Sequence, residues 1–271
     1  MDYRKLGNLE VSTIGLGTLR TFDVTAPDEI AVRKNIVDRC LAAGINFIDS
    51  AAAYGHSEEV VGSTIDGRRD QFYLATKVRI EGQAEGEAQI QRSFDAFRTD
   101  YIDLIQVHNL LDWETQLPTL HRLKDEGRIG MVGVTAMVHE AYPTIANIMR
   151  EGQVDTIQIP YNVINRASEA ELLPLAEEKG IGVLVMEPLQ KGRYVKDLKR
   201  QPDLTPLAEY GIHTWAQALL SWVLSDPRVT MTIPATSRPE RIAENAAAGS
   251  ITHLPQEIRD YIRQETERCL A

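Results

Sequence analysis

A single (β/α)8 barrel, the TIM-barrel architecture, with an N-terminal β-hairpin closing the barrel floor is the fold this sequence predicts. Three observations carry that expectation. Eight short apolar runs recur along the chain, rich in β-branched residues and apolar on both faces, as buried parallel strands are. Amphipathic helical stretches separate them. The length, 271 residues, is what eight βα units need with little added.

The first twelve residues stand apart. DYRKLGNLEVS carries a Gly7-Asn8 turn signal between two short β-prone pieces and reads as the hairpin. The first barrel strand is STIGLG, 12–17. The stretch APDEIAVRKNIVDRCLAAG then puts Ile30, Ile36, Val37, Cys40 and Leu41 on one helical face, with Asp28 as its candidate cap and Gly44 as its end. INFID (45–49), FYLAT (72–76), YIDLIQVH (101–108) and MVGVT (131–135) continue the strand series. TIQIP (156–160), IGVLVM (181–186) and VTMTIP (229–234) complete it. Helical patterns cover 57–66, 87–98, 114–126, 138–151, 168–179, 211–225 and 238–247, and one more covers the tail, 255–269. No linker or low-complexity run interrupts them, so residues 1–271 read as one domain. An open doubly wound sheet would want a glycine-rich phosphate loop after an early strand. The nearest match, Gly15-Leu16-Gly17-Thr18-Leu19-Arg20, puts Arg20 where the third glycine belongs.

Composition narrows the function. With 43% hydrophobic and 25% charged residues, a sizeable core is available. Twenty-nine Lys and Arg against 39 Asp and Glu give a net charge of −10, and no basic run occurs. That argues against nucleic acid or an anionic membrane as partner, since both need a concentrated basic face. Cys40 and Cys269 are the only cysteines, which makes a disulfide framework unexpected. The opening MDYRKLGNLEVS has no apolar signal-peptide core, and no run of eighteen apolar residues follows, so a soluble cytoplasmic protein is expected. Six histidines show no paired metal spacing, and no metal site is expected. Trp215 and Trp222, seven apart, read as core packing.

The chemistry sits at strand ends. Asp49 ends INFID, Tyr54 follows in AAAYGHSE, Lys77 follows FYLAT and His108 ends IDLIQVH. In a parallel barrel these ends share one mouth, where an acid, a phenol, an amine and an imidazole would meet. Such a group suits proton delivery to a carbonyl oxygen that receives a hydride. The expectation is that Lys77 stabilises the Tyr54 phenolate and lowers its pKa, that Asp49 holds Lys77, and that His108 orients the carbonyl. Each residue alone has a plainer reading, as a helix cap, a loop aromatic, an exposed strand end or a rim histidine. Four together on consecutive units are much harder to explain that way.

On these residues the sequence resembles the aldo-keto reductases. The matching segments are NFIDSAAAYGHSEEVVG, FYLATKV, YIDLIQVHN, GRIGMVGVT, TIQIPYNVINR, GVLVMEPL and TIPATSRPERIAEN, in family order over almost the whole chain. The resemblance implies a (β/α)8 barrel and an extended nicotinamide dinucleotide, usually NADPH, bound without a Rossmann domain. It implies Tyr54 as proton donor with Asp49, Lys77 and His108 as its partners. Gly17 and Thr18 match positions lining the cofactor, and Gln158 matches the carboxamide-binding glutamine. Thr135 stands where serine is usual, Ala136 where asparagine is, and Met186 where a tyrosine stacks on the nicotinamide. Pro188 and Leu189 follow in the same cofactor-facing segment.

For the adenine end the resemblance implies Thr236, Ser237, Arg238 and Arg241 at the ribose phosphate, and Glu244 and Asn245 at the adenine. Ala235 replaces a frequent lysine. The alternative for both arginines is surface pairing with Glu240 or Glu244. Glu187 departs furthest from the family: it either faces the pyrophosphate, neutralised by Lys191 or Arg193, or turns out to solvent. Arg20 and Trp113 are the substrate-side candidates, Arg20 for an anionic group or a rim ion pair, Trp113 for a pocket wall or a surface loop aromatic. The loops after His108 and Leu189 look short beside many relatives, which suggests an open pocket. NADPH-dependent reduction of a small aldehyde, ketone or sugar-like carbonyl is therefore the expected activity. A nucleotide-binding redox sensor with little turnover and a phosphate-binding barrel isomerase are its rivals.

Overall fold

The computed structural model describes all 271 residues. Strands β1 (Tyr3–Leu6) and β2 (Leu9–Ser12) form the antiparallel hairpin, with Leu6 opposite Leu9 across the Gly7-Asn8 turn. Gly7 sits at φ 58, which glycine adopts without a Cβ clash. Eight strands follow in one sheet: β3 (Leu16–Gly17), β4 (Phe47–Asp49), β5 (Tyr73–Val78), β6 (Ile102–Val107), β7 (Ile129–Thr135), β8 (Thr156–Pro160), β9 (Gly182–Met186) and β10 (Met231–Thr232). Each lies parallel to the next in chain order. Parallel bridges Ile14↔Thr232 and Gly17↔Ala235 join first to last and shut the ring. A Cβ on Gly17 would lie 2.5 Å from the Ile233 carbonyl oxygen, so the seam itself demands glycine there.

The seam also corrects the sequence reading. The first and last barrel strands are two residues each, not 12–17 and 229–234, because Ser12 pairs with Tyr3 in the hairpin and the ring closes through isolated bridges. His108 falls one residue beyond β6, in a turn of 3-10 helix.

The helices are α1 (Pro27–Ala42), α2 (Ser57–Thr64), α3 (Gln83–Phe97), α4 (Trp113–Asp125), α5 (Tyr142–Arg150), α6 (Leu172–Lys179), α7 (Arg193–Lys196), α8 (Trp215–Leu224), α9 (Arg241–Ala248) and α10 (Gln256–Leu270). Asp28 does not cap α1: Ala26 holds the cap position, Pro27 opens the helix, and Asp28 lies in the first turn facing the dipole. The helix ends at Ala42, two residues before Gly44, which turns the chain at φ 79. α8 has a full capping box, Thr214 with Gln217. Trp215 and Trp222 are both buried in the core. No helix is long and apolar enough to cross a membrane.

Two apolar layers hold the barrel. One lies between sheet and helices. The other fills the barrel interior, where Leu6 and Val11 of the hairpin meet Phe47, Leu104, Met131, Leu184 and Met231 from the strands. The hairpin therefore plugs the floor and leaves the strand C-termini as the open mouth.

Candidate active site

Three consecutive strand ends, those of β4, β5 and β6, bring the four residues to the mouth. Asp49 is the last residue of β4, and Lys77 is the penultimate residue of β5. Their side chains are 4% and 1% exposed, and Lys77 Nζ donates to Asp49 Oδ1 at 2.8 Å, to Oδ2 at 2.7 Å and to the Ser50 carbonyl at 2.7 Å. Burial alone would lower the Lys77 pKa, but the Asp49 carboxylate and Tyr54 together outweigh it and raise the ammonium above its usual value. Gln158, at the middle of β8, donates from Nε2 to Asp49 Oδ1 at 3.0 Å and fixes the carboxylate from the far side. Behind Lys77, the buried Glu58 of α2 accepts from Thr76 Oγ1 and, at 3.2 Å, from Ser93 Oγ.

Tyr54 is carried by the turn between β4 and α2, with Lys77 Nζ 5.2 Å from its ring centroid. His108 meets the same ring edge-on, with centroids 5.9 Å apart and planes at 81°. Here the sequence expectation needs correcting. The Tyr54 phenol lies above, not below, its usual pKa: burial raises it, and Lys77 only partly offsets that while Asp49 adds to it. Burial, with Lys77 and Arg79 adding, holds the His108 imidazolium down to about 3, so the ring is neutral near neutral pH. Its Nδ1 is buried and has no partner in the protein. The segment after it is strained, with Asn109, Leu110 and Asp112 at φ 54, 55 and 50. The Asn109 N–H holds Thr135 Oγ1 at 3.0 Å.

A cavity of about 430 Å³ opens above these groups. Gly17, Thr18, Arg20, Asp49, Tyr54, His108, Thr135 and Gln158 line it from the strand ends and the turns after them. Met186 lines it from the end of β9, and Glu187, Pro188, Leu189 and Lys191 from the segment that follows. Thr236, Ser237 and Arg238 line it from the loop before α9, and Arg241, Glu244 and Asn245 from the helix itself. Two predicted residues stay outside the lining. Lys77 lies beneath it on Asp49, and Trp113 opens α4 half-buried against the core, so it makes no wall of this cavity. Ala136 is buried in the core.

The charges in this cavity are organised. Glu187 does not turn to solvent: its side chain is 13% exposed and lies 2.7 Å from Lys191 Nζ. Glu187 and Lys191 sit at φ 55 and 56, so the backbone of this segment is strained around the pair. Arg241 pairs with Glu244, three residues on, at the first turn of a helix that starts at Arg241 and not at Arg238. Lys196 also lines the cavity, and sequence reasoning missed it. Its signal was the run KGRYVK, basic at three places in a segment without strand or long-helix periodicity. The lining thus offers five cations, three carboxylates and the Gln158 amide. A polyanionic ligand with an amide-bearing head fits that donor set, and a nicotinamide dinucleotide is such a ligand.

Comparison with known proteins gives the same direction. The model of the Aldo/keto reductase family matches residues 13–266. The uncharacterized oxidoreductase YqkF of Bacillus subtilis (strain 168) is 26% identical, over 99% of this chain and 97% of its own. The NADH-specific methylglyoxal reductase of Escherichia coli (strain K12) is 26% identical, over 90% of this chain and 91% of its own. Among solved structures, an aldo-keto reductase from Klebsiella pneumoniae in complex with NADPH superposes with a TM-score of 0.80 at 27% identity, covering 95% of this chain and 92% of that one. The holo form of an aldo-keto reductase from Bacillus halodurans gives 0.81 at 25% identity, covering 98% and 96%.

Proposed function

Because this chain belongs to the aldo/keto reductase family, we propose that it reduces a small aldehyde, ketone or sugar-like carbonyl to the alcohol with NADPH, with Tyr54 as proton donor. The observation that carries this reading is the meeting of Tyr54, His108 and the buried Asp49–Lys77 pair at one cavity.

When bound, the reduced nicotinamide supplies a hydride to the carbonyl carbon. The oxygen then gains negative charge and needs a proton. Tyr54 keeps its proton until that moment, since burial favours the neutral phenol. Once the proton leaves, the phenolate lies beside the Lys77 ammonium, which the Asp49 carboxylate keeps charged. His108, being neutral, offers one N–H to the carbonyl oxygen and fixes its direction without competing as an acid. Gln158 and Thr135 would hold the carboxamide. Lys191, Lys196, Arg238 and Arg241 would face the phosphates. Met186 would pack on the ring through its thioether.

Tyr54→Phe tests the assignment. Positioned acid catalysis contributes about 10²- to 10⁴-fold, so turnover of any accepted aldehyde should fall by that much. NADPH binding, followed by fluorescence titration, should persist. Unchanged turnover removes Tyr54 from the mechanism. If the intact protein binds NADPH but oxidises none over a broad carbonyl panel, the sensor reading takes its place, and no nucleotide binding at all would favour the isomerase reading.

A further inference from the structure

We infer that the substrate side of this cavity selects carbonyl compounds with an anionic group beyond the reacting carbon, held by Arg20. The inference rests on the carbonyl-reductase reading above and adds the substrate class to it.

The chain carries a net charge of −10, yet its cavity is locally basic. All three lining carboxylates are already paired: Asp49 with Lys77, Glu187 with Lys191 and Glu244 with Arg241. Arg20, Lys196 and Arg238 are the lining cations left without an acidic partner within ion-pair distance. Lys196 and Arg238 stand on the segments assigned to the nucleotide phosphates. Arg20 stands on neither. It belongs to the turn after β3, which is tied to the loop carrying Tyr54.

That tie is specific. The Asp23 carboxylate accepts the His56 backbone N–H at 3.0 Å and lies so close to Gly55 that a Cβ there would be 2.2 Å from Oδ1. The nearest acid in sequence is therefore used to clamp the Tyr54 loop and does not pair with Arg20. The turn is built to present Arg20. The Thr18 carbonyl accepts from the backbone N–H groups of Thr21 and Phe22 at 3.1 Å each, and Arg33 Nε donates to the Thr21 carbonyl at 2.6 Å. Arg20 itself takes φ 63, a left-handed conformation that an L-residue with a Cβ adopts only under constraint. Exposed Leu19 and Met137 line the same cavity and offer apolar cover for a short chain between carbonyl and anion. Arg79, just past β5, is a second cation whose field reaches Tyr54 and His108, and it too has no acidic partner.

Matched substrates test this. Succinic semialdehyde and butanal share an aldehyde and a four-carbon chain and differ at the far end, carboxylate against methyl. The kcat/KM ratio should favour the semialdehyde by about tenfold or more, the lower end for a charge-assisted contact that solvent partly screens. Arg20→Gln should bring the ratio close to one, Arg20→Lys should restore part of it, and added salt should erode it. Glyceraldehyde 3-phosphate against glyceraldehyde separates a phosphate preference from a carboxylate one. Flat ratios in both pairs, or ratios that Arg20→Gln leaves intact, overturn the inference. Calorimetric titration of succinate and inorganic phosphate into the NADPH-loaded protein gives a readout apart from turnover. If no carbonyl is reduced, anion binding lost in Arg20→Gln sustains the site while the reductase reading falls. Absent or unchanged binding overturns the site as well.

Discussion

At the scale of single residues, the centre of the site is a buried ion pair whose two members depend on each other. Removing Lys77 alone leaves Asp49, 4% exposed, with a carboxylate that Gln158 cannot neutralise. Breaking a buried pair in this way costs about 3–5 kcal/mol, so Lys77→Met should lower unfolding stability in urea by that order. Lys77→Met/Asp49→Asn should regain much of it while remaining slow in turnover. A single variant as stable as the double would show that the pair contributes little to the fold. His108 makes a second prediction, about pH. Its folded-state value is about 3 against the ordinary 6.5. Above pH 6.5 the ring is neutral folded or unfolded, and stability does not depend on it. Between 6.5 and 3 the unfolded chain binds a proton that the folded chain refuses, so stability falls as acid is added. The Tm difference between the native protein and His108→Gln should therefore shift in favour of the variant from pH 7 to pH 4. A constant difference would assign the effect elsewhere. The four residues were legible in the sequence because each ends, or closely follows, an apolar run. The direction of the Tyr54 shift was not, since the burial that sets it comes from loops far apart in the chain.

At the scale of elements, the long parallel strands were easy to read and the short ones were not. β6 and β7, six and seven residues long, announce themselves through the runs YIDLIQVH and MVGVT. β3 and β10 share their apolar flanks with the hairpin and the seam, and only pairing decides where they stop. The segment after β9 was hardest, because a strained turn of Glu187, Gln190 and Lys191 carries no periodicity. On the proposed reading, its ion pair and the Arg241–Glu244 pair bear on nucleotide choice. A charge-assisted contact contributes about 1.5–3 kcal/mol, and Arg241 is 44% exposed and must leave Glu244 to meet a phosphate. Arg241→Ala should thus weaken NADPH by about tenfold, the low end of that range, and leave NADH nearly untouched. Glu244→Gln, which releases Arg241, should tighten NADPH. Equal losses for both nucleotides in a fluorescence titration would mean that Arg241 serves the helix or the adenine and not the phosphate.

At the scale of the whole molecule, the hairpin floor and the seam make one closed object. Leu6 is fully buried, and a Cβ on Gly182 would lie 2.1 Å from its Cδ1. Leu6→Ala should cost about 2–5 kcal/mol by the cavity it leaves, and Gly182→Ala should destabilise by crowding the same space. Together they should cost less than their sum in urea unfolding, and strict additivity would show that the two do not share a packing site. The seam has a further consequence, for synthesis. Ile14 leaves the ribosome long before its partner Thr232. Until Thr232 emerges, the nascent chain is an open sheet with two bare edges and an uncovered interior, the kind of intermediate that aggregates or calls on chaperones. The barrel therefore cannot close as it is made, and ribosome-bound chains stopped before β10 should be open to protease across β3 to β9.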